Sequence, residues 1–254
     1  MKIVVIGGTG RIGSRLVERL RTDAHEPLAA SPRSGVDALT GQGLEEALAR
    51  AHVVVDVSNT STCHDAAALQ FFQTSSRNLL AAETAARVGH HVTLSIVGTD
   101  RLPDSGYFRA KLAQEEAVKG GSVPYTILRA TQFFEFIGRI ADSSTDGDTV
   151  RLPPVFVQPE AADDVASTLT DLVVGSPLND TVELAGPEVF RLDDLARRVL
   201  KASDDRREVR TDFHARCCDG LDNRCLIPGD DARIGSTRLE DWLNQSTMTP
   251  TRPS

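Results

Sequence analysis

Hydrophobic positions follow two rhythms along this chain, and its first half alternates between them. Ile3 to Ile6 is an unbroken apolar run, short enough for a buried strand. Arg11 to Arg21 follows with Ile12, Leu16, Val17 and Leu20 apolar, the spacing of a helix with one buried face. The exchange then repeats. Strands are predicted at Pro27 to Ala30, His52 to Val57, His91 to Val97 and Tyr125 to Leu128. Helices are predicted at Gly43 to Arg50, Asp65 to Val88 and Gly106 to Lys119, the last stopped by Gly120 and Gly121. Such alternation implies βαβ units, with right-handed crossovers placing helices on both faces of a parallel sheet. The expected class is α/β, a doubly wound parallel sheet.

The second half is less regular. Phe133 to Ile140 reads as a helix, Asp142 to Asp148 as a polar turn, and Val150 to Val157 as a strand interrupted by Pro153 and Pro154. Ala161 to Val174 is helical, with Asp163 and Asp164 near its positive end. Val182 to Leu184 is a short strand, Leu192 to Lys201 an amphipathic helix, and Thr237 to Leu243 a last helix anchored by Trp242. The expected organisation is a nucleotide-binding core over residues 1–135 and a smaller part over residues 136–245. That smaller part would complete the sheet and form a substrate pocket. Residues 246–254, rich in Thr and Pro, are expected to be a disordered tail.

Composition narrows the function classes. A net charge of −8 argues against nucleic acid and against an anionic membrane surface as partners. No apolar run reaches the length of a membrane span, and the N-terminus reads as a strand and a glycine turn rather than a secretory signal. Cys63, Cys217, Cys218 and Cys225 do not form a disulfide framework, which points to a reducing, cytoplasmic setting. Together with His214 they match no zinc spacing, so no metal is expected. The expected partner is a small-molecule substrate, in a monomer or a homodimer.

Candidate chemistry begins where the first strand meets the first helix. Gly7, Gly10 and Gly13 lie at three-residue spacing, with Thr9, Arg11 and Ile12 between them. In a strand–turn–helix setting the first glycine permits a tight turn, the second lets backbone approach a pyrophosphate, and the third lets the helix pack on the strand. The helix N-terminus offers unpaired N–H groups to the phosphates. After the second strand, Ser31, Arg33 and Ser34 occur with no carboxylate before Asp37. An acid there would hold a ribose 2′-hydroxyl, whereas an arginine accommodates a 2′-phosphate. NADP(H) is therefore the preferred cofactor, with NAD(H) possible, and Asp37 could reach the adenine end instead. Ser58 and Asn59 follow the third strand, where a doubly wound sheet lines its ligand crevice.

Ser95 lies in the fourth strand, Tyr107 twelve residues later, and Lys111 one helical turn beyond. A phenol is a poor acid at neutral pH, and a neighbouring ammonium lowers its pKa. Tyr107 would then protonate a carbonyl oxygen as hydride reaches its carbon. Lys111 would also hold the ribose, and Ser95 would bond the substrate oxygen.

Four stretches together carry a resemblance: Val5-Ile6-Gly7-Gly8-Thr9-Gly10-Arg11-Ile12-Gly13, Leu94-Ser95-Ile96-Val97-Gly98, Tyr107-x-x-x-Lys111 and Pro124-Tyr125-Thr126-Ile127-Leu128-Arg129-Ala130. The chain resembles an atypical short-chain dehydrogenase/reductase of the NmrA-like branch, well over residues 1–190 and by layout beyond. The resemblance implies a Rossmann sheet that binds NAD(P) and a smaller C-terminal substrate part. It places Ala130 and Thr131 beside the nicotinamide, and Val97, Gln132, Phe133 and Phe134 toward the substrate. Phe133, Phe134 and Phe136 crowd four positions of a chain that is 5% aromatic, an apolar pocket or core packing. The expected activity is NAD(P)H-dependent hydride transfer on a small apolar or aromatic carbonyl or alcohol. The alternatives are a non-catalytic NADP(H)-sensing regulator that binds a protein, and a sugar-nucleotide epimerase or dehydratase.

Overall fold

Ile3, Val4 and Val5 are wholly buried, and the strand they form sits inside the principal sheet. In the computed structural model, which describes residues 1–60, 65–213 and 223–248, β1 (Lys2–Ile6) leads into α1 (Arg11–Thr22). The chain continues through β2 (Glu26–Ala30), α2 (Leu44–Leu48), β3 (Val53–Asp56), α3 (Asp65–Ala86), β4 (His90–Ile96), α4 (Gly106–Lys119) and β5 (Tyr125–Ala130). Next come α5 (Ile137–Ser143), β6 (Thr145–Asp146), β7 (Thr149–Leu152), β8 (Phe156–Val157), α6 (Ala162–Val174) and β9 (Asp180–Ala185). The chain ends in β10 (Phe190–Arg191), α7 (Leu192–Ala202), β11 (Glu208–Thr211), β12 (Arg233–Ile234) and α8 (Leu239–Met248).

The principal sheet has seven strands in the order β12-β9-β5-β4-β3-β1-β2. β1 pairs in parallel with both β2 and β3, and Ile6 stands level with Ala30 and Asp56. Strand order therefore reverses at β1, between an edge strand and the strands that follow. In open α/β sheets such a switch point opens a crevice beyond the strands' C-terminal ends. β2 is the edge, its outer residues exposed, and it tolerates Pro27 because an edge strand can spare a backbone N–H.

The chain divides into two compact units, Met1–Ala130 with Val165–Val182, and Thr131–Asp164 with Glu183–Ser254. The sequence had suggested one break near residue 135. In the first unit, Val4, Ile6, Val54, Leu44, Leu48 and Leu79 form one apolar cluster. Ala68 and Phe72 of α3 form another with Ala110 of α4, against which Tyr107 packs. In the second unit, β11 runs parallel to β7, β6 and β7 form a hairpin, and β8 pairs antiparallel with β10.

Several expected boundaries move for physical reasons. Pro153 and Pro154 divide the expected strand Val150 to Val157 into β7 and β8, since proline offers no N–H to a ladder. The helix expected at Phe133 to Ile140 is a 3-10 turn, Phe134–Phe136, followed by α5. β11 forms within the charged stretch after Ser203, a strand too short for periodicity to reveal. α8 extends to Met248, into the stretch expected to be tail. Residues 249–254 lie outside the described residues, as do Cys63, His214, Cys217 and Cys218. Cys225 is buried, and no metal-holding cluster of His, Cys, Asp or Glu occurs among the described residues. No helix among them is long and apolar enough to cross a membrane.

Candidate functional site

The turn from β1 to α1 is built from glycines that differ in what surrounds them. Gly7 has φ +79°, which an L side chain rarely adopts, and a Cβ there would meet Ser58 N at 2.9 Å. At Gly8 a Cβ would lie 2.7 Å from Ala29 Cα, and at Gly13 it would overlap the carbonyl oxygen of Gly7. Gly10 is different: among the described residues the only near neighbour of a Cβ there would be Gly7 O at 3.2 Å, and the residue is exposed. Three glycines thus serve the protein's own packing, and the fourth faces outward. Gly7 N–H donates to Ala30 O at 2.9 Å, tying the turn to the end of β2.

Gly10 is also the N-cap of α1, and among the described residues no side chain caps that end. The first N–H groups of a helix need partners that the helix does not supply. Here that end lies at exposed Thr9, Gly10 and Arg11, with Gly10 N–H donating to Gly7 O at 2.9 Å, while Ile12 and Gly13 turn into the core. Across the switch point stand Ser58, whose buried hydroxyl has no hydrogen-bond partner among the described residues, and exposed Asn59. A glycine cradle, an uncapped helix end and an orphaned hydroxyl fit a dinucleotide's phosphates.

After β2 the chain makes a 3-10 turn, Pro32–Ser34. Ser34 spends its hydroxyl on this turn, accepting Ser31 N–H at 2.9 Å and lying 3.0 Å from Ser31 O. Ser31 is buried. Both serines therefore shape the turn, and exposed Arg33 stands at its tip. Asp37 accepts Leu39 N–H at 2.8 Å, a bond that shapes its own loop.

Ser95, Tyr107 and Lys111 are each bonded to a different group. Tyr107 donates its hydroxyl to Asn59 Oδ1 at 3.1 Å. Lys111 is buried: its Nζ donates to Leu94 O at 2.8 Å and to Gln114 Oε1, and lies 4.7 Å from the centre of the Phe72 ring. Burial pulls this ammonium down to about 8, against the opposing pull of Asp56 and Glu115. Ser95 gives its proton to Glu115 Oε1 at 2.6 Å, which leaves only lone pairs for another partner. Glu115 also receives Thr99 Oγ1 at 3.2 Å and two guanidinium bonds from Arg129, 2.9 and 2.7 Å. Arg129 reaches on to Asp100 at 2.9 Å. Burial pushes the Glu115 carboxyl up, but the bonds from Arg129 and Ser95 override it and hold the group below its ordinary value.

In the second unit, Thr131 is buried, with N–H 3.0 Å from Glu160 Oε1 and Oγ1 donating to Gln158 O at 2.7 Å. Burial raises the Glu160 carboxyl well above its ordinary value. Phe134 is 1% exposed and stacks on Trp242 with centroids 5.4 Å apart, a packing role. Phe133 meets Phe136 at 5.5 Å. In the first unit, Val97 is wholly buried and Ala130 nearly so.

Three residues of this neighbourhood escaped the sequence reading, Asp56, Gln114 and Glu115, while Arg129 entered it only within the fifth-strand stretch. Two left a readable trace. Glu115 stands one helical turn past Lys111, which stands one turn past Tyr107, and Asp56 is a lone carboxylate closing an apolar strand.

Comparison with known proteins agrees with this geometry at the level of fold. No family model matches the chain. Photosystem II assembly factor Ycf39 of Cyanophora paradoxa is 24% identical over 227 residues, 82% of this chain and 71% of that protein. The structure resembles DesIV, a dTDP-glucose 4,6-dehydratase from Streptomyces venezuelae with NAD and TYD bound. The TM-score is 0.74 at 17% identity, over 98% of this chain and 96% of that one. It also resembles the NADPH-dependent quinone oxidoreductase QOR2 of Escherichia coli, solved with NADPH. There the TM-score is 0.66 at 20% identity, over 83% of this chain and 77% of that one. The fold is the Rossmann-type α/β fold that such NAD(P)-binding reductases and dehydratases adopt.

Proposed function

We propose that this chain is an NAD(P)H-dependent oxidoreductase of the short-chain dehydrogenase/reductase type, in its NmrA-like branch. It would favour NADP(H) and act on a small apolar or aromatic carbonyl or alcohol. One observation carries the reading. Gly7, Gly8 and Gly13 are filled by the protein's own backbone, whereas Gly10 opens outward at an uncapped helix end. That is where a pyrophosphate needs close backbone approach and free N–H donors.

When bound, the nicotinamide would supply or accept hydride. The residues do the rest. Thr9, Gly10, Arg11 and Ile12 border the phosphates, Arg33 offers its guanidinium to a 2′-phosphate, and Ser58 offers its unpartnered hydroxyl. Tyr107 transfers its proton to the substrate oxygen, and the Lys111 ammonium favours the resulting phenolate. Ser95 joins only as an acceptor while Glu115 holds its proton.

The substrate class rests on the cations near the segment that follows β5. Arg129 is committed to Glu115 and Asp100, Arg139 lies 5.7 Å from the Phe136 ring, and Arg151 is exposed on β7. A doubly charged phosphosugar normally recruits arginine forks or helix N-termini. The dehydratase likeness alone does not supply them. A non-catalytic NADP(H) sensor is the second reading, favoured by the separate commitments of Ser95, Tyr107 and Lys111.

Fluorescence titration of NADPH and NADH into wild type and Gly10→Val tests the proposal. Wild type should bind NADPH more tightly, and Gly10→Val should lose binding with an unchanged far-UV circular dichroism spectrum. Retained binding would remove the dinucleotide from this loop. Competition at the NADPH-loaded protein then separates planar aromatic ketones from phosphosugars. Binding by the sugars alone would favour the epimerase or dehydratase alternative.

A further inference from the structure

The Tyr107–Lys111 face of α4 is tied twice to the residues closing β3. Asn59 takes the tyrosine. The lysine is reached through a single carboxylate. Asp56 ends β3 and is 2% exposed. Its Oδ1 accepts the backbone N–H of Ser58 at 2.9 Å, and its Oδ2 accepts Gln114 Nε2 at 2.8 Å. Gln114 Oε1 in turn accepts Lys111 Nζ. The amide can point only one way, because a carboxylate needs a donor and an ammonium needs an acceptor. Leu94 O accepts from the same ammonium, and the Phe72 ring lies 4.7 Å from it, all inside the unit. Ser58 N, at the other end, is the atom that a Cβ on Gly7 would strike. One carboxylate therefore touches the wall of the glycine cradle and, through one amide, the lysine.

We infer that Asp56 and Gln114 are positioning residues for Lys111, holding its ammonium against β4 and coupling its place to the loop that borders the glycine cradle. The consequence for hydride chemistry rests on the dinucleotide reading above; the coupling itself does not. A ligand that presses on Ser58 or Asn59 pulls on the same carboxylate that orients Gln114. Among the described residues, the charged groups facing Lys111 are Asp56 from β3 and Glu115 from α4, while α3 presents the Phe72 ring. Burial outweighs those two carboxylates, so removing either lowers the lysine's titration further.

The chain has four lysines, Lys2, Lys111, Lys119 and Lys201, so protein labelled with carbon-13 lysine gives few side-chain signals to follow. Lys111→Met assigns the Lys111 signal. In cofactor-free wild type it should titrate near 8. Asp56→Asn and Gln114→Leu should each lower that midpoint by about one pH unit, with the other three lysines unmoved. Gln114→Leu, close in size to the native side chain, decides the matter if Asp56→Asn does not fold. An unchanged Lys111 midpoint overturns the inference.

Adding NADPH should shift the wild-type Lys111 signal, and Asp56→Asn should bind NADPH with that shift reduced. An equal shift in the variant removes the coupling. Failure of NADPH to bind wild type at all refutes the dinucleotide reading and leaves the cofactor-free titration to decide the relay.

Discussion

Replacing Glu115 with glutamine tests whether the ion pairs beneath Ser95 hold the first unit together. The native carboxylate is fully buried and receives Arg129 through two bonds, Ser95 through a third and Thr99 through a fourth. Glutamine keeps the shape and one acceptor oxygen, but it removes the charge and turns a donor toward the guanidinium. Breaking a buried pair by removing one partner costs about 3–5 kcal/mol, because the other charge stays behind. Arg129 retains Asp100, whose side chain is 51% exposed and therefore screened, so the loss should fall at the lower end, about 3 kcal/mol. For a chain of this size that is a fall in Tm of about 6–12 °C. Urea unfolding and thermal scans at pH 7 measure it, and a loss below about 1 kcal/mol would refute the view that this network is structural.

The same variant carries a pH signature. The folded-state carboxyl titrates below its ordinary value near 4.5, so the wild-type protein gains stability from this group above that value. It loses the gain as pH falls through the lower, folded value. The gap between wild type and Glu115→Gln should therefore be full above about pH 5 and close on further acidification. A gap that persists undiminished into strong acid would mean that charge is not its source.

Arg33→Ala should weaken NADPH by about tenfold or more, the loss of a charge-assisted bond worth about 1.5–3 kcal/mol, and leave NADH nearly unaffected in parallel titrations. Equal affinities of wild type for the two cofactors would remove the argument from Arg33. Tyr107→Phe should abolish turnover while NADPH affinity holds, and indifference of turnover to this change would promote the sensor reading. Gly13→Ala should destabilise the fold by about 1–3 kcal/mol in urea unfolding, since its Cβ would overlap Gly7 O and lie 2.7 Å from Gly8 Cα. Unchanged stability there would show that the turn yields easily.

What the sequence made legible is what depends on neighbours along the chain. The β1–α1 turn, the alternation up to β5 and the placing of Tyr107 and Lys111 on one helix face are all short-range patterns. Periodicity and turn chemistry report them directly. The α6 N-terminus marks the limit of that kind of reading. Asp163 and Asp164 stood out as acids near its positive end. Yet Ala162 N–H is taken by Glu135, twenty-seven residues earlier, and Asp164 instead receives the N–H of Thr237. Nothing in local spacing announces either bond.

The candidate site follows the same division. Sequence spacing assembled Ser95, Tyr107 and Lys111 as a trio because a serine in the fourth strand precedes a tyrosine and a lysine one helical turn apart. What each one bonds to is decided by residues from other elements: Glu115 and Arg129 for Ser95, Asn59 for Tyr107, Asp56 through Gln114 for Lys111. A buried ammonium must find acceptors wherever the fold supplies them, because leaving it unpaired costs more than turning it inward. The lysine therefore faces β4. Using it on a ribose would mean exchanging Leu94 O and Gln114 for the sugar's hydroxyls. On the coupling inferred above, that exchange is cheap only if Asp56 lets Gln114 go, so the residue ending β3 would decide whether the Tyr-x-x-x-Lys pair is a catalyst or a structural strut.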